Sequence, residues 1–395
     1  MMEICDLQKC TGCEACVSVC PVKCISMVQN NEGFLYPKID SAVCLKCRKC
    51  VKTCPNNRDI KKGESSFFMG WHKDKQILLE SSSGGAFTAI ADFIIKSGGI
   101  VYGASFNEQR FSVEHKRIDR IEDLKELRLS KYFQGTIEDS YIKAKKDLNL
   151  GKQVLFTGTA CQIAGLYCFL DKEYENLLTV DVLCHGIASK KVIDAYILAK
   201  EKKYRKKIKS FRFRLKPPES EWMKGGGTKM RLDFSDGTTV IEEKDSDTFF
   251  IGFNKYLFLR KSCYSCKYVG TERIADITLA DFWGIDLDLI SEEQRKNGVS
   301  LIIVNSSKGE NIVSFLGKDM IILPADSSRA ISANQALSKP STSNLSREAF
   351  FRSLNDEDFD KLVHKYNRII YLKLKLRKLL GNRVYDLIKH IAGRV

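Results

Sequence analysis

The sequence predicts three successive parts: a small α+β domain, a larger α/β domain with a mixed sheet, and a helical C-terminal tail. Ten of the 15 cysteines lie before residue 55, which sets the first part apart by composition. From about residue 67 to 335, short β-rich runs alternate with helical patterns, as in α/β domains. The remaining residues lack glycine-rich turns and include a basic amphipathic run. We therefore expect domains over 1–60, 61–335 and 336–395.

Composition and charge limit the class of protein. The chain has 395 residues, of which 44% are hydrophobic and 29% charged, and this excludes disorder throughout. The net charge of +15 favours acidic partners, such as nucleic acid, anionic lipid or acidic redox proteins. Residues 1–9 contain no apolar leader, and no apolar run reaches the ~18 residues of a membrane span. We expect a cytoplasmic protein whose cysteines are reduced thiolates available to metal.

Two cysteine runs with identical spacing give the strongest signal. The first is Cys10-x2-Cys13-x2-Cys16-x3-Cys20-Pro21, and 34 residues later it recurs as Cys44-x2-Cys47-x2-Cys50-x3-Cys54-Pro55. This is the bacterial ferredoxin pattern, in which the fourth cysteine ligates the other 4Fe-4S cluster. The expected ligands are Cys10, Cys13, Cys16 and Cys54 for the first cluster, and Cys44, Cys47, Cys50 and Cys20 for the second. Zinc is the alternative, but tetrahedral zinc sites normally use cysteine pairs.

The segment between the two runs predicts a β-hairpin. Residues 24–28 and 34–39 are largely apolar and flank the turn signal at 30–33. Such a hairpin would cover the clusters with apolar side chains. The first part is therefore expected to be a ferredoxin-like α+β domain that relays single electrons and has no substrate pocket of its own.

Four more cysteines of interest lie farther along the chain. Cys161 and Cys184 each follow a predicted strand, over 154–156 and 177–183, and the carboxyl ends of strands are where open α/β sheets bind ligands. Cys263 and Cys266 form a Cys-x2-Cys in a basic stretch. Spacing alone leaves three interpretations open: a zinc site, a third 4Fe-4S cluster, or ordinary small buried side chains.

Two loops have the composition of anion sites. The glycine-rich segment 81–85 precedes a predicted helix over 86–96, and backbone N–H groups at such a helix start can hold a cofactor phosphate. The segment 128–135 combines a cation, an aromatic ring and an amide, which suits a phosphate and a planar ring. A tight turn and a solvated surface loop are the respective alternatives.

Two further segments have clear periodicity. Residues 210–216 alternate apolar and basic side chains, and a turn signal at 235–237 completes a predicted β-hairpin whose Arg and Lys we expect on the wet face. Residues 368–380 predict a basic amphipathic helix. That helix either docks on the protein's own core or makes peripheral contact with a membrane surface.

Taken together, these features resemble the beta-subunit family of coenzyme F-420 hydrogenases and dehydrogenases, with a two-cluster ferredoxin domain in front. The resemblance covers about residues 65 to 285, in the family's order. The matching segments are 82–85 (SSGG), 130–134 (SKYFQ), 157–162 (TGTACQ), 181–186 (DVLCHG), Cys263-x2-Cys266 and 275–284 (ADITLADFWG).

This resemblance implies that the α/β domain is a flavin and iron–sulfur domain, with FAD beside a third 4Fe-4S cluster. The implied ligands of that cluster are Cys161, Cys184, Cys263 and Cys266. The implied flavin-binding residues are Ser82, Ser83, Gly84, Gly85, Ser130, Lys131, Tyr132, Gln134, Thr157, Gly158 and Gln162.

The expected function is that of an oxidoreductase that passes electrons between a ferredoxin or another redox protein, three clusters and FAD. Its substrate would be a deazaflavin or another small molecule, and Lys131, His185 and Asp281 are candidates for proton handling. A non-catalytic electron-transfer subunit of a larger redox complex is the alternative. A cluster-bearing nucleic-acid protein, suggested by the basic tail and hairpin, is a third hypothesis that we do not favour.

Overall fold

A large mixed sheet organises the middle of the chain. The computed structural model describes residues 3–216 and 229–369, together with 371–372, 375–376 and 379. Within them the strands are β1 (Ile25–Gln29), β2 (Leu35–Ile39), β3 (Ser66–His72), β4 (Ile100–Asn107), β5 (Ser112–Ile118), β6 (Gly135–Thr136), β7 (Val154–Thr159), β8 (Leu177–Val182), β9 (Ile208–Leu215), β10 (Lys229–Phe234), β11 (Thr239–Glu243), β12 (Ile277–Asp281), β13 (Ser300–Val304) and β14 (Met320–Pro324).

Helices connect most of these strands. Within the same residues the α-helices are α1 (Ala15–Ser18), α2 (Lys49–Thr53), α3 (Lys75–Leu79), α4 (Ala86–Lys96), α5 (Leu124–Leu127), α6 (Ser140–Asn149), α7 (Ala160–Leu170), α8 (Lys190–Tyr204), α9 (Thr248–Asn254), α10 (Glu292–Asn297), α11 (Ser307–Phe315), α12 (Ser327–Ala333), α13 (Arg347–Ser353) and α14 (Phe359–Tyr366). Short 3-10 turns, such as Lys261–Ser265, lie between several of them.

The main sheet has nine strands in the order β14-β3-β13-β12-β8-β7-β4-β5-β6. Its centre, from β12 through β8 and β7 to β4, is parallel, whereas the pairings of β13, β3 and β14 and of β4 with β5 are antiparallel. All five residues of β13 are buried, as expected for a strand covered on both faces. The predicted α/β domain with a mixed sheet is therefore confirmed.

Helices cover both faces of this sheet. Because side chains alternate along a strand, Leu155 of β7 packs in one apolar cluster with α4 and α11, while its neighbours Val154 and Phe156 pack in another with α6 and α7. Helix α7 follows β7 directly, and α4 follows β3 after the short helix α3, so both helices begin beyond the carboxyl end of a strand of the main sheet.

The strands β9, β10 and β11 form a separate antiparallel sheet, with the predicted turn between β10 and β11. The expectation that its basic side chains lie on a wet face is wrong for Arg214 and Lys216, which are buried. The pairing of β9 with β10 shifts by one residue between Arg212 and Leu215. This irregularity breaks the alternation, so that Arg212 stays exposed while Arg214 turns inward to bond Asp281 at 2.9 Å.

The first two helices after residue 345, α13 and α14, pack against the protein's own core. Phe350 and Phe351 of α13 and Leu362 of α14 are buried in the same aromatic cluster as the three-stranded sheet, α8 and α9. The basic helix predicted over 368–380 lies in part outside the described residues. Among the described residues, no helix combines the length and apolarity that crossing a membrane requires.

The N-terminal part contains the predicted hairpin, with β1 and β2 paired antiparallel from Ile25 opposite Ile39 to Gln29 opposite Leu35. Its helix α1 packs against α7 of the main domain. At this contact the side chain of Cys13 lies directly over Gly165: an added Cβ at Gly165 would be 2.7 Å from the Tyr141 hydroxyl and 3.2 Å from Cys13 Sγ. The N-terminal part and the main domain are therefore in close contact at Gly165, where the glycine leaves room for Cys13.

Replacing this glycine should loosen the contact. Gly165→Ala gains ~1 kcal/mol of helix propensity, but its methyl group overpacks buried atoms at a cost of about 1–3 kcal/mol. We expect a net loss of stability in anaerobic urea unfolding. The matched control is Gly317→Ala, where nothing lies within 4 Å of the added Cβ. Equal unfolding midpoints for the two variants would show that the contact tolerates a side chain.

Candidate functional site

The first cysteine set lines a single cavity. Cys10, Cys13, Cys16 and Cys54 surround an open-sided space of about 320 Å³, whose other walls include Ile4, Met27 and Pro37. Cys16 sits in α1, and Cys54 ends α2 where Pro55 starts a 3-10 turn. The structure therefore brings together the four cysteines that the sequence assigned to the first cluster.

The second set lines another cavity, of about 300 Å³, formed by Cys20, Cys44, Cys47 and Cys50 with Ile25 and Ile39 of the hairpin. Cys50 is buried, whereas Cys47 is exposed to solvent. The fourth cysteine of each run thus lines the cavity of the other run, as the ferredoxin pattern predicts.

The backbone of the two runs has the same unusual conformation. Gly12 and Glu14 in the first run have φ values of 71° and 62°, and their counterparts 34 residues later, Lys46 and Arg48, have 52° and 57°. Left-handed backbone is uncommon for residues other than glycine and is concentrated at functional sites. Repeating it at equivalent positions turns three successive thiols of each run toward one cavity.

The third set gathers where β7 and β8 end. Cys161 lies in the first turn of α7, Cys184 follows β8, and Cys263 lies in the 3-10 turn Lys261–Ser265, just before Cys266. Burial, followed by the charges of the Cys263 and Cys161 thiolates, raises the pKa of Cys184 well above its usual range. Burial likewise raises the pKa of Cys161 to about 11. Four half-buried thiols this close together are difficult to ionise without a positive group among them.

Cys13 connects the first and third sets. It packs in one apolar cluster with Cys161 and Cys266. Burial raises the pKa of Cys13, and the charge of Cys161 adds to that effect. Cysteines about 150 and 250 residues apart in sequence are therefore neighbours in space.

The three candidates for proton handling have different surroundings. Lys131 Nζ is enclosed by backbone carbonyls, with Ala104 O and Arg128 O both at 2.7 Å, and burial lowers the pKa of Lys131 to about 7. Asp281 is paired with Arg214. Burial lowers the pKa of His185, against the opposing charge of Asp281. His185 and Asp281 therefore influence one another, while Lys131 is bonded to the chain itself.

The glycine-rich loop leads directly into α4. Gly85 has φ 86° and precedes Ala86, and no side chain caps the first turn of the helix. Ser82 Oγ accepts a hydrogen bond from Ser130 N at 2.9 Å, which joins the two predicted anion loops. Gly84 lies so close to Gly70 O and Ser300 N that a Cβ would not fit. The first turn of α4 thus lacks a side-chain cap, as at the helix starts that bind phosphate.

Two cations lie near this loop: Arg128, which the sequence includes in the second predicted anion loop, and Lys216, which it does not assign to either loop. Lys216 Nζ donates to Ser83 O at 2.5 Å and to Leu78 O at 3.0 Å. Arg128 bonds Glu80, but its buried Nε has no hydrogen-bond partner among the described residues. The alternating sequence pattern predicts Lys216 on the solvent-exposed face. This prediction is wrong because the bulge in β9, which the pattern does not reveal, changes the direction of the side chains that follow it.

Several residues implied as flavin ligands have partners within the protein. Tyr132 packs against Phe213, Phe250 and Phe253 at ring distances of 5.1 to 5.4 Å. Thr157 Oγ1 donates to Tyr102 O at 3.0 Å, and Gln162 Oε1 accepts from Thr159 N at 2.9 Å beside Gly158. Gln134 Oε1 accepts from Leu35 N at 2.9 Å. The structure thus ties the side chain of Thr157 to β4, that of Gln162 to the start of α7, and that of Gln134 to the N-terminal hairpin.

Arg260 is a residue that sequence reasoning missed. It is 0% exposed and lies between the hairpin and the first cysteine set. Its Nε donates to Cys10 O at 2.8 Å, and its Nη2 donates to Leu35 O at 3.0 Å and lies 3.8 Å from Cys10 Sγ. The available signal was its position three residues before Cys263.

Comparisons with known proteins agree with these features. Residues 151–324 match the family model that describes the C terminus of the beta subunit of coenzyme F420 hydrogenase/dehydrogenase, and residues 9–57 match the model of a 4Fe-4S dicluster domain. An uncharacterized protein in the rpl9-rpl11 intergenic region of Porphyra purpurea is 36% identical over 57 residues, which are 13% of this chain and 73% of that protein.

A solved structure is also similar. It is a chain of the F420-reducing [NiFe] hydrogenase complex from Methanosarcina barkeri, with a TM-score of 0.46 and 16% identity over 81% of this chain and 94% of that one. The family matches, together with the cysteine runs, assign two parts of the chain. Residues 151–324 belong to the coenzyme F420 hydrogenase/dehydrogenase beta-subunit family, an oxidoreductase family, and residues 9–57 form a 4Fe-4S dicluster domain.

Proposed function

We propose that the protein is an iron–sulfur flavoprotein oxidoreductase that transfers electrons between a ferredoxin-like partner and a small-molecule substrate, which can be a deazaflavin. The observation that carries this proposal is the series of cysteine-lined sites from the exposed Cys47 to the half-buried third set. When bound, 4Fe-4S clusters accept and donate single electrons, whereas FAD accepts or donates two electrons together, as a hydride. The proposal assigns two clusters to residues 1–60 and the third cluster and FAD to residues 61–335.

The cysteine sets supply suitable donors for three clusters. Cys10, Cys13, Cys16 and Cys54 would hold the first, Cys20, Cys44, Cys47 and Cys50 the second, and Cys161, Cys184, Cys263 and Cys266 the third. Tetrahedral zinc sites normally take their sulfur ligands from cysteine pairs. Each of the first two sets instead combines three cysteines of one run with the fourth cysteine of the other run, as in two-cluster ferredoxins. This supports clusters over mononuclear zinc in these two sets.

The residues before α4 fit the phosphate end of FAD. Ser82 bonds Ser130, and two basic side chains lie beside the loop, since Lys216 bonds Ser83 O and Arg128 bonds Glu80. Arg128 Nε is buried and, among the described residues, lacks an acceptor, which an oxygen of a phosphate would provide. Lys131, Tyr132, Gln134, Thr157, Gly158 and Gln162 remain flavin-site assignments by family resemblance.

The rim of the second cavity suits an acidic one-electron carrier as partner. Val22 and Leu45 on this rim are 39% and 65% exposed. Lys46, Arg48 and Lys49 surround them, are exposed, and have no acidic residue among them between 41 and 54. An apolar centre with a basic border is complementary to an acidic redox protein, because opposite charges steer the encounter while apolar contact stabilises it.

A non-catalytic electron-transfer subunit is the second candidate function. It is favoured by the enclosure of Lys131 in backbone carbonyls and the pairing of Asp281 with Arg214, which leave His185 as the less constrained proton-handling group. Anaerobic assays of the reconstituted protein with reduced ferredoxin and a deazaflavin distinguish the two. Turnover by the protein alone supports the enzyme, and turnover only with a partner enzyme supports the subunit.

The cluster content is directly measurable. Anaerobically isolated protein should contain about twelve iron atoms and one FAD per chain. Cys161→Ala should lose about four iron atoms, since a ligand of the third cluster is removed. Cys168→Ala is the matched control, because Cys168 is a buried cysteine of the same helix outside the proposed ligand set. About eight iron atoms and no flavin in the wild type would restrict the protein to its ferredoxin part.

The proposed docking rim predicts a charge effect. Lys46→Glu/Lys49→Glu should slow reduction by a reduced, acidic bacterial ferredoxin at least about tenfold at low ionic strength. The difference should shrink as salt screens the charges. Stopped-flow absorbance measures the rate, with Lys125→Glu/Lys318→Glu as a control of equal net charge on exposed positions elsewhere. Equal slowing by both double variants would exclude this rim as the docking site.

A further inference from the structure

Arg260 differs from the other buried arginines of the protein. Arg214, Arg273 and Arg347 are each at most 7% exposed, and each is paired with a carboxylate: Asp281, Asp181 and Glu32, respectively. Arg260 is 0% exposed, and no carboxylate among the described residues lies within ion-pair distance of it. Its four polar contacts are Cys10 O, Leu35 O, Gln134 Oε1 and Cys10 Sγ.

A buried charge without a counter-ion is strongly destabilising. Carbonyl and amide oxygens satisfy the N–H groups of Arg260, and Tyr36 lies 4.1 Å from its guanidinium carbon, but none of these groups carries a negative charge. Among the direct contacts of its side chain, the sulfur of Cys10, which lines the first cavity, is the one that carries a negative charge as a thiolate.

We propose that Arg260 is the internal counter-ion of the first cluster and that its charge raises the reduction potential of that cluster. This inference rests on the proposed function, which assigns Cys10 as a ligand. Four thiolates around a core of charge 2+ leave about two negative charges. Reduction takes one electron from the ferredoxin-class donor and no proton, so the net charge becomes one unit more negative. A fixed cation favours that more negative state.

The surroundings of Arg260 hold its side chain in place. Gln134 Oε1 accepts from Arg260 Nη1 at 3.3 Å and from Leu35 N at 2.9 Å, so it bridges the guanidinium to the hairpin. The backbone of Arg260 bonds Ile187 O at 3.0 Å, and Cys263 N bonds Arg260 O at 2.9 Å. Arg260 is thus anchored between the first and third cysteine sets, and it is a positioning residue that acts through Cys10.

An anaerobic redox titration followed by electron paramagnetic resonance tests this role. In Arg260→Gln, the equilibrium constant for one reduction step should fall at least tenfold, which is about 59 mV for one electron. Arg260→Lys keeps the charge but holds it farther from Cys10 and should give an intermediate shift. The step that moves should be the one that is lost in Cys10→Ser.

A charge-neutral double variant is the control. Glu32→Gln/Arg347→Gln removes the ion pair, at 2.6 Å, between Glu32 in the turn of the same hairpin and Arg347 of α13, without changing the net charge. In this double variant, the equilibrium constant of each reduction step should stay within about a factor of two of the wild-type value. A shift as large as that of Arg260→Gln would mean that loss of packing, and not loss of charge, moves the potential, and would overturn the proposal.

The remaining outcomes separate the two levels of the argument. If the wild type shows no step that depends on Cys10, the proposed function fails at the first cluster. If that step exists and Arg260→Gln leaves it unchanged, the counter-ion role fails while the cluster stands. Should Arg260→Gln lose the cluster, the wild type is compared with Arg260→Lys: a lowered potential supports the role, and an unchanged one overturns it.

Discussion

Close contact between α1 and α7 determines how the two cysteine-rich parts of the chain are related. The contact is possible because Gly165 leaves room for Cys13 and the Tyr141 hydroxyl. As a result, Cys13 shares one apolar cluster with Cys161 and Cys266, although the cysteines are far apart in sequence. An electron relay of the proposed kind needs its centres close together, so the proposal depends on this glycine as much as on the cysteines themselves.

Buried positive charge is a second theme of the structure. Lys216 bonds Ser83 O in the glycine-rich loop, Arg128 bonds Glu80 just before it, and Arg260 lies beside the first cavity. The chain has a net charge of +15, but these cations are inside the protein and are not available to steer a distant partner. They are arranged around the places where the proposal puts anionic groups, which separates an internal role of the charge from the external role of the rim at Lys46 and Lys49.

Features that depend on local sequence could be predicted, and features that depend on tertiary burial could not. The cysteine runs, the hairpin over 25–39 and the helix over 86–96 follow from spacing and periodicity within a few residues. The burial of Arg214 could not be foreseen, since one extra residue in β9 reverses the side-chain direction. The contacts of Gln134 and Arg260 with the N-terminal hairpin could not be foreseen either, because they join residues 99 to 250 positions apart.

The exposure of Cys47 leaves the protein open to oxidation in air. Oxidation of a cysteine follows its accessibility and its thiolate character. The exposed surface at Cys47, where a donor protein would bind, is equally accessible to dioxygen and peroxide. These molecules are far smaller, so neither shape nor charge keeps them out. Damage should therefore begin at this outermost sulfur and proceed inward, and a cell that uses this protein must keep its surroundings poor in oxidants or rebuild the outer centre repeatedly.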